Sequence, residues 1–252
     1  MKIEHYRKVN NSMYELILSD GRKLNLYDDV ILKYELLLKR DIDDVLLEAV
    51  IDENRYFDFY YLSLKYIKAR RRSTKEVYYK LFDSGCPKSQ LFDILNKLIS
   101  QGYLNDVDYA NSFCHEQIIT TSRGPLKIKM ELLKKGIEET IAEEAMQQYT
   151  DGIQIEKAER IVSKMIKSNR TRSSIELEKK IINDLLNKGF SKEIVLDVYN
   201  GYDVSDDSDI REKEYQKLYK KLSRKYSGKE LELKIKEKMY QKGFKECVKN
   251  SV

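Results

Sequence analysis

The sequence has 252 residues, 47 Lys and Arg against 42 Asp and Glu, 41% hydrophobic and 35% charged residues, 10 Gly, 2 Pro, 3 Cys and no Trp. The hydrophobic share suffices to bury a core, which excludes a wholly disordered chain, and the shortage of proline in a mixture rich in Lys, Glu, Leu and Ile favours helix. No run approaches the ~18 apolar residues that span a bilayer, and Met1 to Lys8 alternates charge with hydrophobe, so a cytoplasmic protein without membrane contact is expected.

In chain order, Tyr14–Leu18 and Lys23–Tyr27 alternate with period two around Asp20-Gly21, which reads as a small β-hairpin, with a third strand expected from Lys2 to Val9. Helices are expected next over Asp28–Lys39 and Asp43–Glu53. A hairpin of this size must pack on helix to persist.

From residue 57 the chain repeats. A Leu/Met-rich helix ending in a polar step and glycine occurs four times, and the closing residues Gly85, Gly136, Gly189 and Gly243 stand 51, 53 and 54 residues apart. Three of these helices start with a capping pattern, Ser73…Glu76, Ser173…Glu176 and Ser227…Glu230, and one starts with Gly124-Pro125. From start to closing glycine the distances are 12, 12, 16 and 16 residues, so the last two should be about one turn longer. A helix with a 3.6-residue apolar stripe precedes each, such as Phe57, Tyr60, Leu64 and Ile67, and another follows. The fold class is therefore all-α, with tandem three-helix repeats in an elongated curved array and a small N-terminal β-hairpin. The expected divisions are 1–56 for hairpin and helices, then repeats over 57–105, 106–152, 153–202 and 203–252, the last with a short final helix. The acidic segment Gly201 to Asp209 separates the third repeat from the fourth.

No catalytic constellation is present. The sequence has no Gly-rich phosphate loop, no G-x-S-x-G and no H-E-x-x-H, and the Asp203–Asp209 run lacks the Gly and Glu of a calcium loop. Cys86, Cys114 and Cys247 are far apart, only His5 and His115 supply imidazoles, and neither a disulfide framework nor a metal site is readable. No cofactor is expected.

Recognition by charge remains. Residues 65–80 hold seven bases against one acid, residues 28–58 have a net charge of −6, and residues 211–245 have +8. Arg70, Arg71 and Arg72 before Ser73, Arg123 before Gly124, and Arg170 and Arg172 before Ser173 fall at one place in three repeats, and Lys75 and Lys127 follow in the next helical turn. Guanidinium groups repeated in this way suit phosphates or carboxylates. These eight residues are the candidate set for binding DNA or another polyanion. Most of the 19 tyrosines are assigned to packing, although those at 60, 61, 66, 78 and 79 interleave with bases in a pattern compatible with base stacking.

Gly102-Tyr103-Leu104-Asn105-Asp106, then Tyr109-Ala110, Arg123-Gly124-Pro125 and Glu131–Ile137 with its Lys-Gly-Ile ending, resemble the motifs of the bacterial RecX regulatory proteins, in the longer form found in Gram-positive bacteria. Gly102, Tyr103, Leu104, Asp106, Tyr109 and Gly136 match the family motif in mainly structural roles. The chain departs from the pattern after Tyr109-Ala110, where Phe113, Cys114, His115 and Glu116 replace an expected arginine. The resemblance implies a monomeric, non-enzymatic regulator in DNA repair, recombination and the SOS response. Its partner would be the filament of the RecA recombinase on single-stranded DNA, with restraint of ATP hydrolysis, filament growth and strand exchange, and DNA would be bound weakly or through RecA. The alternatives from the residues themselves are a stand-alone DNA-binding protein of tandem three-helix modules, or a helical scaffold.

Overall fold

The computed structural model describes residues 1–204 and 207–244. Ser205, Asp206 and the segment 245–252, which includes Cys247 and the short helix expected after Phe244, lie outside the described residues. Twelve helices and three strands are present among the described residues, in two compact units.

The first unit comprises residues 1–109 with 135–137. β1 (Ile3–Asn10), β2 (Met13–Leu18) and β3 (Lys23–Tyr27) form an antiparallel sheet in that order. The β2–β3 turn closes at Gly21, whose φ of +83° is the left-handed conformation that the Asp-Gly pair foretells. The alternation buries Ile3, Leu16, Leu18 and Leu26 on one face. That face shares a core with α1 (Asp28–Lys33) and α2 (Asp44–Ala69), so the sheet is held by helix as its size demands. Asn54 of α2 reinforces the join by accepting from the Tyr27 amide (3.0 Å) and donating to the Asn25 carbonyl (3.1 Å).

Two expectations change here. The helix read over 28–39 ends at Lys33, and Glu35 follows with φ +52°. The helix read over 43–53 does not stop before residue 57: α2 runs unbroken for 26 residues, so a division at 56/57 cuts one helix. The physical reason is that 44–69 contains no Gly or Pro to end it. Phe57 and Tyr60 of α2 then pack with Val77 and Leu81 of α3 (Thr74–Asp83) and Leu91, Ile94 and Leu98 of α4 (Lys88–Ser100).

α5 (Asp106–Thr120) begins in the first unit. The second unit continues with α6 (Pro125–Lys134), α7 (Glu139–Met146), α8 (Asp151–Ser168), α9 (Ser174–Lys188), α10 (Lys192–Asn200), α11 (Ser208–Leu222) and α12 (Gly228–Gln241). One core joins Ala158 and Val162 of α8 to Leu177, Ile181 and Leu185 of α9 and Val195 of α10. Another joins Leu218 and Leu222 of α11 to Leu231, Ile235 and Met239 of α12. Each buried Val, Leu, Ile or Met side chain among these gains roughly 1.5–3 kcal/mol from leaving water. α3 and α6 have 10 residues, whereas α9 and α12 have 15 and 14, the added turn read from the start-to-glycine distances. The capping box read at Ser227 is not formed, and its hydroxyl caps no amide. Gly228 takes φ +55°, which is incompatible with a right-handed first turn that aims helix amides at a cap.

Candidate functional site

The candidate cations sit at turns whose backbone is fixed by one recurring joint. In the first unit Ser73 is fully buried and caps α3: its Oγ accepts from the Glu76 amide (3.2 Å), and the Glu76 carboxylate accepts from the Ser73 amide (3.1 Å). The same hydroxyl donates to the Lys135 carbonyl at 2.7 Å, just before Gly136. The next amide, Thr74, donates to Asp106 Oδ1 at 2.8 Å. A Cβ on Gly136 (φ +83°) would lie 2.3 Å from Lys75 Cδ, so the stem of Lys75 covers this glycine.

The second unit builds the joint twice more. Ser173 Oγ accepts from the Glu176 amide (3.3 Å) and donates to the Lys242 carbonyl (2.7 Å), and the Ser174 amide donates to Asp207 Oδ2 (2.8 Å). At the start of α6, Gly124 has no hydroxyl, and its own amide donates to the Lys188 carbonyl at 2.7 Å. A Cβ at Gly124 would stand 2.4 Å from the Gly189 carbonyl carbon, so glycine is required for close approach as well as for starting the helix. Pro125, at the position of Thr74 and Ser174, has no amide to satisfy.

Around Ser73 the structure brings Arg70, Arg72 and Lys135 to one carboxylate. Arg70 Nη2 donates to Glu76 Oε1 at 2.7 Å, and Arg72 Nη1 and Lys135 Nζ stand 3.8 and 3.6 Å from that oxygen. Arg72 also lies 3.8 Å over the Tyr66 ring, a cation–π contact. Burial alone would raise the Glu76 pKa, but Arg70, the Ser73 amide and Lys135 outweigh it and hold the carboxyl below its ordinary value. Arg71 lines a shallow cleft with Tyr103, Asn105, Asp108 and Tyr109. Within the family motif Gly102 is left-handed (φ +76°), Leu104 and Tyr109 are buried, Tyr103 is exposed, and Asp106 holds Thr74.

Arg123 is clamped differently. Its Nη1 donates to Gln117 Oε1 (2.9 Å) and Glu131 Oε2 (2.7 Å), while its carbonyl accepts from the Tyr149 hydroxyl (3.0 Å). Lys157 Nζ caps the end of α5 by donating to the carbonyls of Ile118 and Thr121, and burial lowers its pKa. Burial raises the Tyr149 phenol to about 12. Lys127 is exposed, with Nζ 3.4 Å from the Asn187 carbonyl. Arg170 donates to the carbonyls of Lys167 (2.8 Å) and Asn169 (2.9 Å), and the Arg172 amide donates to Asn169 Oδ1 (3.0 Å). Among the described residues neither Arg170 nor Arg172 forms an ion pair.

Sequence reasoning named the cations and missed what holds them: the Ser73 and Ser173 hydroxyl relays, Asp106 and Asp207 as amide acceptors, Tyr149 and Lys157. A signal existed for the aspartates, which follow their amide partners by 32 and 33 residues. Cys114 is buried, with Sγ 3.5 Å from Met146 Sδ. Among the described residues no group of three or more His, Cys, Asp or Glu side chains is arranged to hold a metal, and no helix is long and apolar enough to cross a membrane.

A family model described as RecX, second three-helix domain, matches residues 105–146, the span of α5 to α7 and of the Asp106, Tyr109 and Gly136 motif. The chain is 31% identical to the regulatory protein RecX of Streptococcus gordonii over 252 residues, covering 97% of this chain and 95% of the relative. The chain belongs to the RecX family. A regulatory protein RecX of Listeria welshimeri is 30% identical over 216 residues, covering 82% of this chain and 79% of the relative. A crystal structure of a regulatory protein RecX superposes with a TM-score of 0.71 at 25% identity, covering 79% of this chain and 98% of that one. RecX from Lactobacillus salivarius superposes with a TM-score of 0.55 at 34% identity, covering 58% and 95%. RecX proteins are non-enzymatic regulators of DNA repair and recombination.

Proposed function

We propose that this chain regulates the RecA recombinase by binding its filament on single-stranded DNA, restraining ATP hydrolysis, filament growth and strand exchange. The observation that supports this reading is the reuse of one joint, at Ser73, Gly124 and Ser173, to hold a turn that presents arginine. In this reading Arg70, Arg71, Arg72, Lys75, Arg123, Lys127, Arg170 and Arg172 meet phosphates or carboxylates of the filament, and the repeats are formed by α2 to α4, α5 to α7, α8 to α10 and the segment from α11 onward. Several similar contacts act together, so each can be weak while the sum is tight. Arg70 and Arg72 exchange Glu76 for the new anion, which lowers their net gain and makes the interaction sensitive to salt.

The test is ATP hydrolysis by RecA on single-stranded DNA, titrated with this protein at two ionic strengths. Hydrolysis should fall at substoichiometric amounts, and Arg70→Glu/Arg71→Glu/Arg72→Glu should raise the amount required roughly tenfold or more, with helix content unchanged. No effect of the wild type at an excess would end the proposal, and full potency of the triple variant would move the binding surface away from this turn.

A further inference from the structure

Counted back from the closing glycines, the third residue is apolar and exposed in all four repeats: Phe82, Leu133, Leu186 and Tyr240. The helix stop does not need it. The residue one earlier serves that purpose, since the carbonyls of Leu81, Leu185 and Met239 accept from the amides of Cys86, Phe190 and Phe244 at 3.1–3.2 Å, and those three residues are buried. An exposed apolar side chain at one place in every repeat is therefore not a by-product of how these helices end.

α6 carries this exposure furthest. Leu126, Met130 and Leu133, at steps of four and three, fall within about 60° of one another around the helix, on the side away from its buried residues Ile128 and Leu132. They are 56%, 56% and 37% exposed and form a ridge about 10 Å long. Lys127 and Lys134 border the ridge on one flank; both are exposed, and among the described residues neither forms an ion pair. On the other flank Lys129 is held by Glu139 and Glu143 of α7 at 3.0 and 2.8 Å. The cations left free beside the ridge are thus on the Lys127 side.

We infer that the outer face of α6 is a docking surface for a partner protein, with Leu126, Met130 and Leu133 seated on an apolar patch and Lys127 and Lys134 meeting carboxylates at its border. Aliphatic side chains offer no donor to a phosphate and no flat ring to a base, so nucleic acid does not suit the ridge. A second copy of this chain laid antiparallel on it would set Lys127 of one against Lys134 of the other, and a single self-contact leaves the recurrence on α9 and α12 without a purpose. A polymer of identical subunits, each with an apolar patch bordered by acid, accounts for the charge and for the recurrence. It offers similar patches at intervals, and α6, α9 and α12 are linked within one unit by the bonds from Gly124 and Ser173. The inference rests on the proposed regulation and deepens it: the protein subunits of the RecA filament are the occupant, held by apolar contact as well as by charge.

The experiment is biolayer interferometry of the full chain on RecA filaments assembled on single-stranded DNA, at low and high salt, with ATP hydrolysis measured in parallel. Leu126→Gln/Met130→Gln/Leu133→Gln replaces exposed side chains with a good helix former, so helix content and urea midpoint should hold. Binding should weaken roughly tenfold at both salt concentrations. Leu126→Met/Leu133→Met should bind as the wild type does, and Lys127→Gln/Lys134→Gln should weaken binding chiefly at low salt. The surface is overturned if the glutamine variant binds like the wild type, if its loss vanishes at high salt, or if the methionine variant loses as much. The occupant is overturned if sedimentation velocity shows wild-type self-association that the glutamine variant lacks, which would assign a second copy, or if anionic vesicles retain the wild type alone, which would assign a lipid surface. Undiminished restraint of hydrolysis by the glutamine variant removes this face alone, whereas no restraint by the wild type ends the regulatory reading and this inference with it.

Discussion

The turn that opens α3 and the turn that opens α9 share a frame and differ in charge. In both, a buried serine caps its helix and donates its hydroxyl proton to a carbonyl 2.7 Å away, and the following amide is taken by an aspartate at 2.8 Å. Before Ser73, however, Arg70 and Arg72 share the Glu76 carboxylate, whereas before Ser173 Arg170 rests on the neutral carbonyls of Lys167 and Asn169. The lesson is that backbone placement comes from serine, glycine and aspartate and does not depend on how the arginines are neutralised. Charge at these turns can therefore be altered without loss of the joint, which the functional tests require.

The strongest way to break this comparison is to attack the joint through its glycines. Gly189 and Gly85 both close helices in the left-handed region, at φ +88° and +80°. A Cβ on Gly189 would meet the Lys127 amide nitrogen at 2.6 Å, whereas one on Gly85 would meet nothing within 4 Å. Gly189→Ala should cost about 3 kcal/mol, from left-handed strain plus overpacking against backbone. Gly85→Ala should cost about 1 kcal/mol, the strain alone. Urea denaturation measures both, and equal losses would mean that Gly189 is an ordinary helix stop.

A smaller effect separates working caps from an idle one. Ser73→Ala and Ser173→Ala each remove a cap and a buried hydroxyl-to-carbonyl bond, and each should cost about 1–2 kcal/mol, with the two values close to one another. Ser227→Ala should lie within about 0.5 kcal/mol of wild type, since that hydroxyl caps nothing. If Ser227→Ala matched the other two, the three serine starts would be equivalent and the distinction between them would fall.

These serines also mark how far the sequence could be read. The hairpin, the closing glycines, the caps at Ser73 and Ser173 and the longer α9 and α12 are local patterns, fixed within a few residues by backbone chemistry, and so they were legible. The relay partners were not, because Ser73 and Lys135 are 62 residues apart and Ser173 and Lys242 are 69 apart, and no short-range rule links a cap to a distant carbonyl. Ser227 has the right neighbours in sequence and fails through the backbone of Gly228. At the candidate site the arginines were visible as charge, but Glu76 reads from sequence only as a capping residue, and its second role as their counterion needs the fold. Glu131 and Tyr149 at the Arg123 turn were invisible for the same reason.

The smallest effect tests that second role directly, through acid. The Glu76 carboxyl is held below its ordinary value in the folded chain, against a reference near 4.3 when unfolded. The unfolded chain therefore takes up this proton first as pH falls, so the stability that Glu76 contributes is complete above about pH 4.3 and is lost as pH falls through the folded pKa. Glu214, held down by Lys242 and Lys217 against its own burial, acts in the same direction in the second unit. Glu76→Gln should lower stability near neutral pH by about 1 kcal/mol or less, since Arg70 is half exposed, and should flatten part of the acid limb. Arg170→Gln should leave that limb unchanged, because carbonyls do not titrate. Stability measured by denaturant midpoint across acidic pH distinguishes the two turns. If Glu76→Gln and Arg170→Gln gave the same acid limb, the ion cluster before Ser73 would contribute nothing that the carbonyl-bound arginine before Ser173 lacks.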